Sequence, residues 1–207
     1  MSPTLKRAQH ASGFTLIEVI IVIAVIAILA VLVIRGGGEP ESSKRRVTAS
    51  TMEVIRTALE QYHSEFGEYP EPTNPDETVE IMPGKVYHIG AAKCLYQALR
   101  GDGSNAIKVA QGEIEAQSDG RVSAEEIKFT ILKDMPDSMW RKVGGHYFLV
   151  DAFGRPIQYI KSDKEKQNAI NATYDLWSYG ADDKNTLSKS KDTESKPGLD
   201  AQWIKNW

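Results

Sequence analysis

Residues 13–18 read GFTLIE, and residues 19–34 follow as an unbroken run of apolar side chains. The stretch of 21 residues that begins at Phe14 contains only two polar side chains, Thr15 and Glu18. As an α-helix this stretch is about 31 Å long, which is enough to cross the hydrocarbon core of a bilayer. Because a soluble domain of this size rarely buries so long an apolar helix, the sequence predicts a membrane-spanning helix.

The residues on either side of the apolar run indicate its orientation in the membrane and whether it is removed by cleavage. Lys6 and Arg7 precede it, and no acidic residue lies upstream of Glu18. Positive charges near the start of a span stay in the cytoplasm, so the domain that follows is expected on the outer side. A cleaved secretory signal would end in small residues, whereas this run ends in the bulky residues 31–34 followed by Arg35. We therefore expect no cleavage after the run.

Glu18 is the anomaly of the apolar stretch, because a carboxylate in a membrane segment is costly and usually has a partner. It lies four residues after Phe14, which is about 6 Å along a helix axis. If the chain is cut between Gly13 and Phe14, the new amine lies near the depth of Glu18, and the amine of a neighbouring subunit can neutralise the carboxylate. The alternative is that Glu18 snorkels to the membrane interface or is protonated there.

The residues from Gly13 to Glu18 resemble the class III signal of type IV pilins and of type II secretion pseudopilins, and every position of that motif matches. The resemblance implies that a prepilin peptidase cuts after Gly13 and that the new N-terminal Phe14 is methylated. It also implies that Glu18 guides the assembly of subunits. Six residues alone are weak evidence, but these directly precede an apolar run of membrane length.

The whole chain has 207 residues, a formal net charge of -3 and one cysteine, Cys94. The charge argues against a nucleic-acid-binding protein, which would be basic. One thiol cannot form an intramolecular disulfide, and we expect Cys94 to be a buried, inert thiol rather than a nucleophile. The predicted divisions are a leader at 1–13, a transmembrane and assembly helix at 14–35, and a periplasmic domain at 36–207.

A second helix is predicted after the glycines at 36–38, which loosen or break helical geometry and indicate a hinge. It should begin with Ser42 or Ser43 as the N-cap residue and end near Gly67. The basic residues at 44–46 form either a solvated helix face or a contact with lipid headgroups or a neighbouring subunit. An apolar stripe predicts one buried face. Its members are Val47, Thr51, Ile55, Leu59, Tyr62 and Phe66.

The sequence of the rest of the domain predicts loops, one helix and several strands. Residues 71–85 have the composition of a loop, and residues 91–100 predict a short helix that ends at Gly101. Asp151 is either a turn residue of the connection at 151–156 or a ligand. Candidate strands are rich in β-forming residues. They cover 129–132, 146–150 and 157–160, and a further strand begins at 174.

Stretches of the domain are also similar to major pseudopilins. They lie at 58–70, 151–159, 174–182 and 204–207, with Phe66, Ala152, Phe153 and Arg155 as departures from the family's pattern. The resemblance implies an α+β, type IV pilin-like fold. In that fold a long N-terminal helix, membrane-spanning in its first half, packs on a small antiparallel sheet.

The resemblance further implies a structural subunit, not an enzyme, that polymerises into a pseudopilus and drives protein export by type II secretion. Its partners would be further copies of the chain, prepilin peptidase, minor pseudopilins, the inner-membrane secretion platform and the membrane itself. It would cross the inner membrane once, with its N-terminus in the cytoplasm and its C-terminal domain in the periplasm. The alternatives are a type IV or competence-type pilin, or a membrane-anchored enzyme or solute-binding domain, although no catalytic motif nominates active-site residues.

The resemblance also implies a calcium ion in the loop that follows the last long strand. Asp182 matches a ligand position of the family, and the carbonyl oxygen of Tyr179 falls at its backbone ligand. Asp192 and Asp200 are candidates by chemistry alone, because calcium takes about six to eight oxygen ligands. Trp203 stands where the family has an Asp. The alternative is therefore a loop that closes by packing Trp203 against the sheet, with no ion.

Overall fold

The chain is known from a computed structural model, which describes residues 16–35, 40–108, 116–182, 184 and 189–207. In the first helix, side chains are described through Leu29. The predicted leader, the junction between Gly13 and Phe14 and the glycine hinge lie outside the described residues. The chain divides into two compact units, Met1–Glu39 and Pro40–Trp207.

The first unit contains helix α1, Leu16–Arg35, which covers 20 residues without a glycine or proline. Every side chain described in this helix, from residue 16 to residue 29, is exposed. Leu16 has 78% of its surface open and Ile28 has 61%. Within the described part of the chain, which leaves out the last six side chains of α1, no helix reaches the length and apolar character of a membrane span. The predicted span at 14–35 stays a prediction.

Helix α2, Glu41–Phe66, opens the second unit. It begins ahead of both predicted serines, because Pro40 occupies the N-cap position with φ of -55° and ψ of 142°, which proline adopts without strain. It ends as predicted at Gly67, whose φ of 80° lies in the left-handed region. The amide of Gly67 donates to the carbonyl oxygen of His63 at 2.8 Å and closes the last turn.

The buried face of α2 begins one residue away from the predicted stripe. Thr48 and Met52 are buried, whereas Val47 remains 48% exposed and Thr51 is half-buried. The polar Thr48 is tolerated inside because its hydroxyl accepts the N–H of Ala152 at 3.2 Å. The remaining stripe follows the prediction. Its buried members are Ile55, Leu59 and Tyr62, and Phe66 packs at the edge of the core.

Small antiparallel sheets follow, and the described residues contain three of them. Their strands are β1 (Thr78–Met82), β2 (Lys85–His88), β3 (Trp140–Val143), β4 (His146–Leu149), β5 (Gln158–Lys161), β6 (Tyr174–Ser178) and β7 (Ile204–Lys205). β1 pairs with β2, β3 pairs with β4, and the third sheet has the order β5-β6-β7. Strands β4, β5 and β6 lie where the sequence predicted them. A helix followed by a small antiparallel-sheet domain confirms the predicted α+β class.

Helix α3, Gly90–Arg100, is buried along most of its length and packs against α2, β4 and β5. It ends at Gly101 as predicted, with φ of 79°. Cys94 lies on it with no exposed surface, and this burial raises the pKa of its thiol well above the ordinary value. The thiol is therefore inert, as expected. A short helix α4, Asp192–Ser195, lies in the C-terminal loop.

Two segments of the second unit have a secondary structure that differs from the prediction. Residues 71–85, predicted as a loop, contain β1 and the start of β2, because a tight turn at Gly84 pairs the two strands. Residues 129–132, predicted as a strand, contain the end of a 3-10 helix, Ile127–Phe129, and then an irregular segment. Two amides of that segment donate to the carbonyl oxygen of Leu99 instead of to a neighbouring strand.

A capping box explains the helical turn in this region. The Ser123 amide donates to Oε2 of Glu126 at 2.8 Å, and the Glu126 amide donates to Oγ of Ser123 at 3.3 Å. This reciprocal pair satisfies donors that a helix start leaves open, so the chain enters a helical turn before the β-forming residues at 129–132. Local capping thus overrides their strand propensity.

The core of the second unit lies between α2, α3 and the strands β4 to β6. Fully buried members are Ile55, Leu59, Leu95, Leu99, Leu149, Ile157 and Leu176. Burying one such side chain stabilises the fold by about 1.5–3 kcal/mol. A β-bridge between Val150 and Pro156 closes the connection between β4 and β5. β6 pairs with β5, so the loop that leaves β6 emerges beside that connection.

Candidate functional site

The C-terminal loop leaves β6 at Tyr179 and returns at Trp203. Its two ends meet at Gly180, whose φ of 59° lies in the left-handed region. A Cβ atom on Gly180 would lie 2.3 Å from the carbonyl oxygen of Gln202, so no larger residue fits without displacing the backbone. We call this constriction the loop neck; it consists of Arg45, Arg155, residues 180–182 and Gln202.

Backbone carbonyl oxygens at the neck converge on Arg155, which is 8% exposed. Its Nη1 donates to the carbonyl oxygen of Gly180 at 2.7 Å and also to that of Asp182, and its Nη2 donates to that of Ala181 at 3.4 Å. A guanidinium carries five N–H donors and no acceptor, so it suits a cluster of carbonyl oxygens. Sequence reasoning noted Arg155 only as a departure from the related turn and missed this role.

A second guanidinium reaches the other side of the neck. Arg45 of α2 donates from Nη1 to the carbonyl oxygen of Gln202 at 2.7 Å. Its neighbour Lys44 lies 5.7 Å from the centre of the Phe153 ring, and Arg46 is exposed. Two of the three basic residues at the start of α2 therefore contact the C-terminal half of the same domain.

Asp151 fixes the position of Arg155. Its Oδ1 accepts the amide N–H groups of Phe153 at 2.8 Å and of Arg155 at 2.9 Å, so the predicted turn role is confirmed. Its Oδ2 accepts the hydroxyl of Ser178, and Oγ of Ser178 accepts the amide of Gly180 at 2.9 Å. Burial is the main cause that raises the pKa of the Asp151 carboxyl above its ordinary value. The carboxyl links the turn at 151–155 to the loop neck.

Asp182, the first predicted calcium ligand, uses its carboxylate within the protein. Its Oδ2 accepts the ring N–H of Trp203 at 3.2 Å, and its Oδ1 accepts the amide of Lys184 at 2.9 Å. The carbonyl oxygen of Tyr179, the predicted backbone ligand, accepts the amide of Asp182 at 3.0 Å. Both groups thus contribute to the turn that follows β6.

Asp192 and Asp200 are engaged elsewhere. Asp192 accepts the amide of Lys189 at 3.1 Å at the start of α4, and Asp200 forms an ion pair with Lys205. Within the part of the chain that the structure describes, no three His, Cys, Asp or Glu side chains form a group that could hold a metal ion. Calcium needs about six to eight oxygens, and the described carboxylates do not gather into such a set. Calcium binding stays a prediction that these contacts do not support.

Trp203 packs against the last sheet. It is 4% exposed, and its ring stacks on Trp177 of β6 with 5.9 Å between the ring centres. The Tyr179 ring meets it edge-on at 5.2 Å, and Trp207 meets it edge-on at 6.4 Å. Aromatic pairs of this kind contribute about 0.5–1.5 kcal/mol beyond burial. Trp203 therefore packs against the sheet in the way that the alternative to the calcium site predicts.

Glu18 lies in the first turn of α1, in the other unit of the chain. It is the only charged residue between 16 and 29, and its apolar neighbours are exposed, with Ile17 at 66% and Ile21 at 57%. A continuous exposed apolar surface of this kind marks a site for lipid or for another protein. The predicted role of Glu18 in assembly stays a prediction.

Residues 9–34 match the family described as the prokaryotic N-terminal methylation motif. Neither a comparison with curated proteins nor one with solved structures gives a significant match. The match includes Gly13, Phe14 and Glu18, and it shows a class III signal peptide, which is typical of type IV pilin-like proteins. Such a leader implies processing by a prepilin peptidase and pilus-like, membrane-anchored assembly, and it indicates a structural subunit rather than an enzyme.

Proposed function

We propose that the chain is the major subunit of a type II secretion pseudopilus, a structural protein that polymerises to drive protein export. One observation carries the proposal: a class III signal leads directly into helix α1, whose described side chains are all exposed. An apolar helix of this kind has to be covered by lipid or by other subunits. The similarity of residues 151–159 and 174–182 to major pseudopilins favours the secretory filament.

In this proposal a prepilin peptidase cuts between Gly13 and Phe14, and the new amine is methylated. The chain crosses the inner membrane once, with residues 36–207 in the periplasm. The α1 helices of neighbouring subunits pack into a filament core through van der Waals contacts and paired polar groups. The domains form the outside of the filament. Minor pseudopilins and the inner-membrane secretion platform are the remaining partners.

A type IV or competence-type pilin is the second candidate function. Type IV pilins commonly carry a disulfide loop near the C-terminus, whereas the only cysteine of this chain, Cys94, lies buried in α3. This difference favours the pseudopilus. A membrane-anchored enzyme or solute-binding domain is the candidate from another class, and it would keep an intact leader and remain a monomer.

The intact mass of the chain purified from membranes tests the proposal. We expect the mass of a chain that runs from Phe14 to Trp207 with one added methyl group, together with a ladder of multimers after cross-linking. Assembled protein that still begins at Met1 would contradict it. Deletion of the gene then separates the two filaments, because loss of exported proteins from the medium indicates a pseudopilus and loss of surface fibres indicates a pilus.

Glu18→Val should leave membrane insertion and leader cleavage intact but prevent efficient polymerisation. Leaving a carboxylate or an amine without a partner in an apolar surrounding costs on the order of 1–3 kcal/mol, so pairing Glu18 with the Phe14 amine of the next subunit favours assembly. The variant loses the free energy of this pairing at every contact between neighbouring subunits. Cross-linking in intact cells measures the multimers, and intact mass confirms the cleavage.

Two control variants sharpen this experiment. Ile20→Val changes a neighbouring exposed side chain without altering charge, and it should assemble normally. Glu18→Gln keeps the shape and removes the charge, so it should resemble Glu18→Val if the charge is what matters. Normal multimers in Glu18→Val would remove the carboxylate from the assembly mechanism.

A further inference from the structure

The loop neck gathers four backbone carbonyl oxygens and two guanidinium groups. The carbonyl oxygens of the consecutive residues 180–182 receive hydrogen bonds from Arg155, and that of Gln202 receives one from Arg45. Consecutive carbonyl oxygens that converge on one point are the kind of donor set that also surrounds calcium in proteins. Here the positive charge that these carbonyl oxygens surround is the guanidinium group of Arg155.

We propose that Arg155, together with Arg45, takes the place of a divalent cation at the loop neck, so that the C-terminal loop of this protein closes without metal. The inference goes beyond the proposed function, because it holds for a pilin and a pseudopilin alike. It follows from the disagreement between the calcium site that the sequence predicts and the contacts that its residues make.

The arrangement around Arg155 is a built site rather than a chance contact. Its amide is held by Oδ1 of Asp151, and Oδ2 of the same carboxyl holds Ser178, whose Oγ accepts the amide of Gly180. The guanidinium and its acceptors are therefore positioned by one buried carboxyl. Since a guanidinium keeps its charge at any physiological pH, the interaction needs no ion from solution.

Charge at the neck also opposes a metal ion. A divalent cation among these carbonyl oxygens would face two permanent positive charges, Arg45 and Arg155, and like charges at such distances repel. The nearest predicted ligand, Asp182, already accepts hydrogen bonds from Trp203 and Lys184. A metal would have to displace these donors as well as the guanidinium.

Proteolysis of the loop measures how firmly the neck is closed. The full chain in mild detergent is digested with a lysine-specific endoprotease that remains active in chelator. Local opening of the loop controls cleavage at its lysines. These are Lys184, Lys189, Lys191 and Lys196. Substituting an arginine leaves all four cleavage positions unchanged. The cleavage rates of the variants can therefore be compared directly with that of the unmodified chain.

We expect the unmodified chain to be cleaved at the same rate in millimolar calcium and in chelator. Arg155→Gln should raise the rate about tenfold or more, because one buried and two partly buried carbonyl oxygens lose a charged donor. Arg45→Gln should raise it about threefold, because it removes one bond at a more exposed position. Arg46→Gln is the matched control, since Arg46 is the exposed neighbour of Arg45, and its rate should not change.

Two results would overturn the inference. One is cleavage of the unmodified chain that slows more than about threefold on adding calcium, since a bound ion would lower the open population of the loop in this way. The other is a rate for Arg155→Gln equal to that of the unmodified chain. If Arg155→Gln fails to fold, two measurements still test the inference. They are the calcium comparison on the unmodified chain and the cleavage rate of Arg45→Gln.

Discussion

Gly13→Val is expected to leave the chain uncleaved and absent from filaments. The peptidase has to approach the backbone at the bond between Gly13 and Phe14, and a residue without a Cβ atom allows the closest approach. Valine adds a branched, three-carbon side chain beside that bond and restricts its own backbone conformations. The uncut chain also lacks the free Phe14 amine that the proposal pairs with Glu18. Both maturation and assembly should therefore be lost together.

The intact mass of the membrane form measures this result, because the uncut chain keeps its 13 leader residues. Ser12→Val is the matched control, since it places the same side chain one residue further from the scissile bond and should mature normally. Efficient cleavage of Gly13→Val would show that the signal at 13–18 is not read as proposed. A mature Gly13→Val chain that fails to assemble would separate cleavage from polymerisation.

The helices were predictable because their signals are local. Composition alone defines α1, and the spacing of Ile55, Leu59 and Tyr62 defines the buried face of α2. Gly67 and Gly101 end α2 and α3 in left-handed conformations that glycine adopts readily. Each of these signals acts within a few residues, so no knowledge of distant contacts was needed.

The short strands were harder to predict. β1 and β2 lie in a segment rich in proline and glycine, and β3 covers only four residues, so their hydrogen-bonded partners rather than their composition define them. At 129–132 the opposite error occurred, because β-forming residues follow the capping box of Ser123 and Glu126. Strand pairing depends on neighbours that a sequence pattern does not reveal.

In the candidate site, too, the features set by nearby residues were predictable, and those set by distant residues were not. The turn at Asp151 could be predicted, because the hydrogen bonds that Oδ1 of Asp151 accepts come from Phe153 and Arg155, no more than four residues away. The role of Arg155 could not, since its acceptors lie 25 to 27 residues away. Asp192 and Asp200 were chosen as calcium ligands by chemistry alone. In the structure Asp192 accepts the backbone amide of Lys189, and Asp200 forms an ion pair with the side chain of Lys205. Both partners lie within five residues, and a pattern of acidic residues does not reveal such local contacts.

Asp151→Ala should destabilise the domain by about 3–5 kcal/mol, the largest loss of stability that we expect from a single substitution at the neck. The change removes the acceptor of two amides, of Phe153 and of Arg155, and the acceptor of the Ser178 hydroxyl. Because Asp151 is 2% exposed, water cannot replace it without opening the turn. A loss of this size lowers the melting temperature by about 6–20 °C for a domain of this length.

Asp151→Asn is the control that separates hydrogen bonding from charge. Its side-chain oxygen can still accept the two amides, and its amide can donate to Oγ of Ser178, so we expect a loss of less than about 1.5 kcal/mol. Thermal unfolding of the full chain in detergent, followed by the fluorescence of Trp177 and Trp203 beside the neck, measures both variants. An equal loss in both variants would show that charge, not the hydrogen-bonded shape, holds the turn.

The pH dependence of the same pair tests the protonation of Asp151. Burial raises the pKa of its carboxyl, so the folded state binds this proton at a higher pH than the unfolded chain does. The stability of the unmodified chain relative to Asp151→Asn should therefore increase as the pH falls through the raised pKa, and it should decrease as the pH rises through it. Melting temperatures of both proteins between about pH 4 and about pH 8 measure this difference. A difference in melting temperature between the two proteins that becomes smaller as the pH falls would contradict this expectation. It would mean that the hydrogen bonds from the amides of Phe153 and Arg155, rather than burial, have the larger effect on the pKa of Asp151.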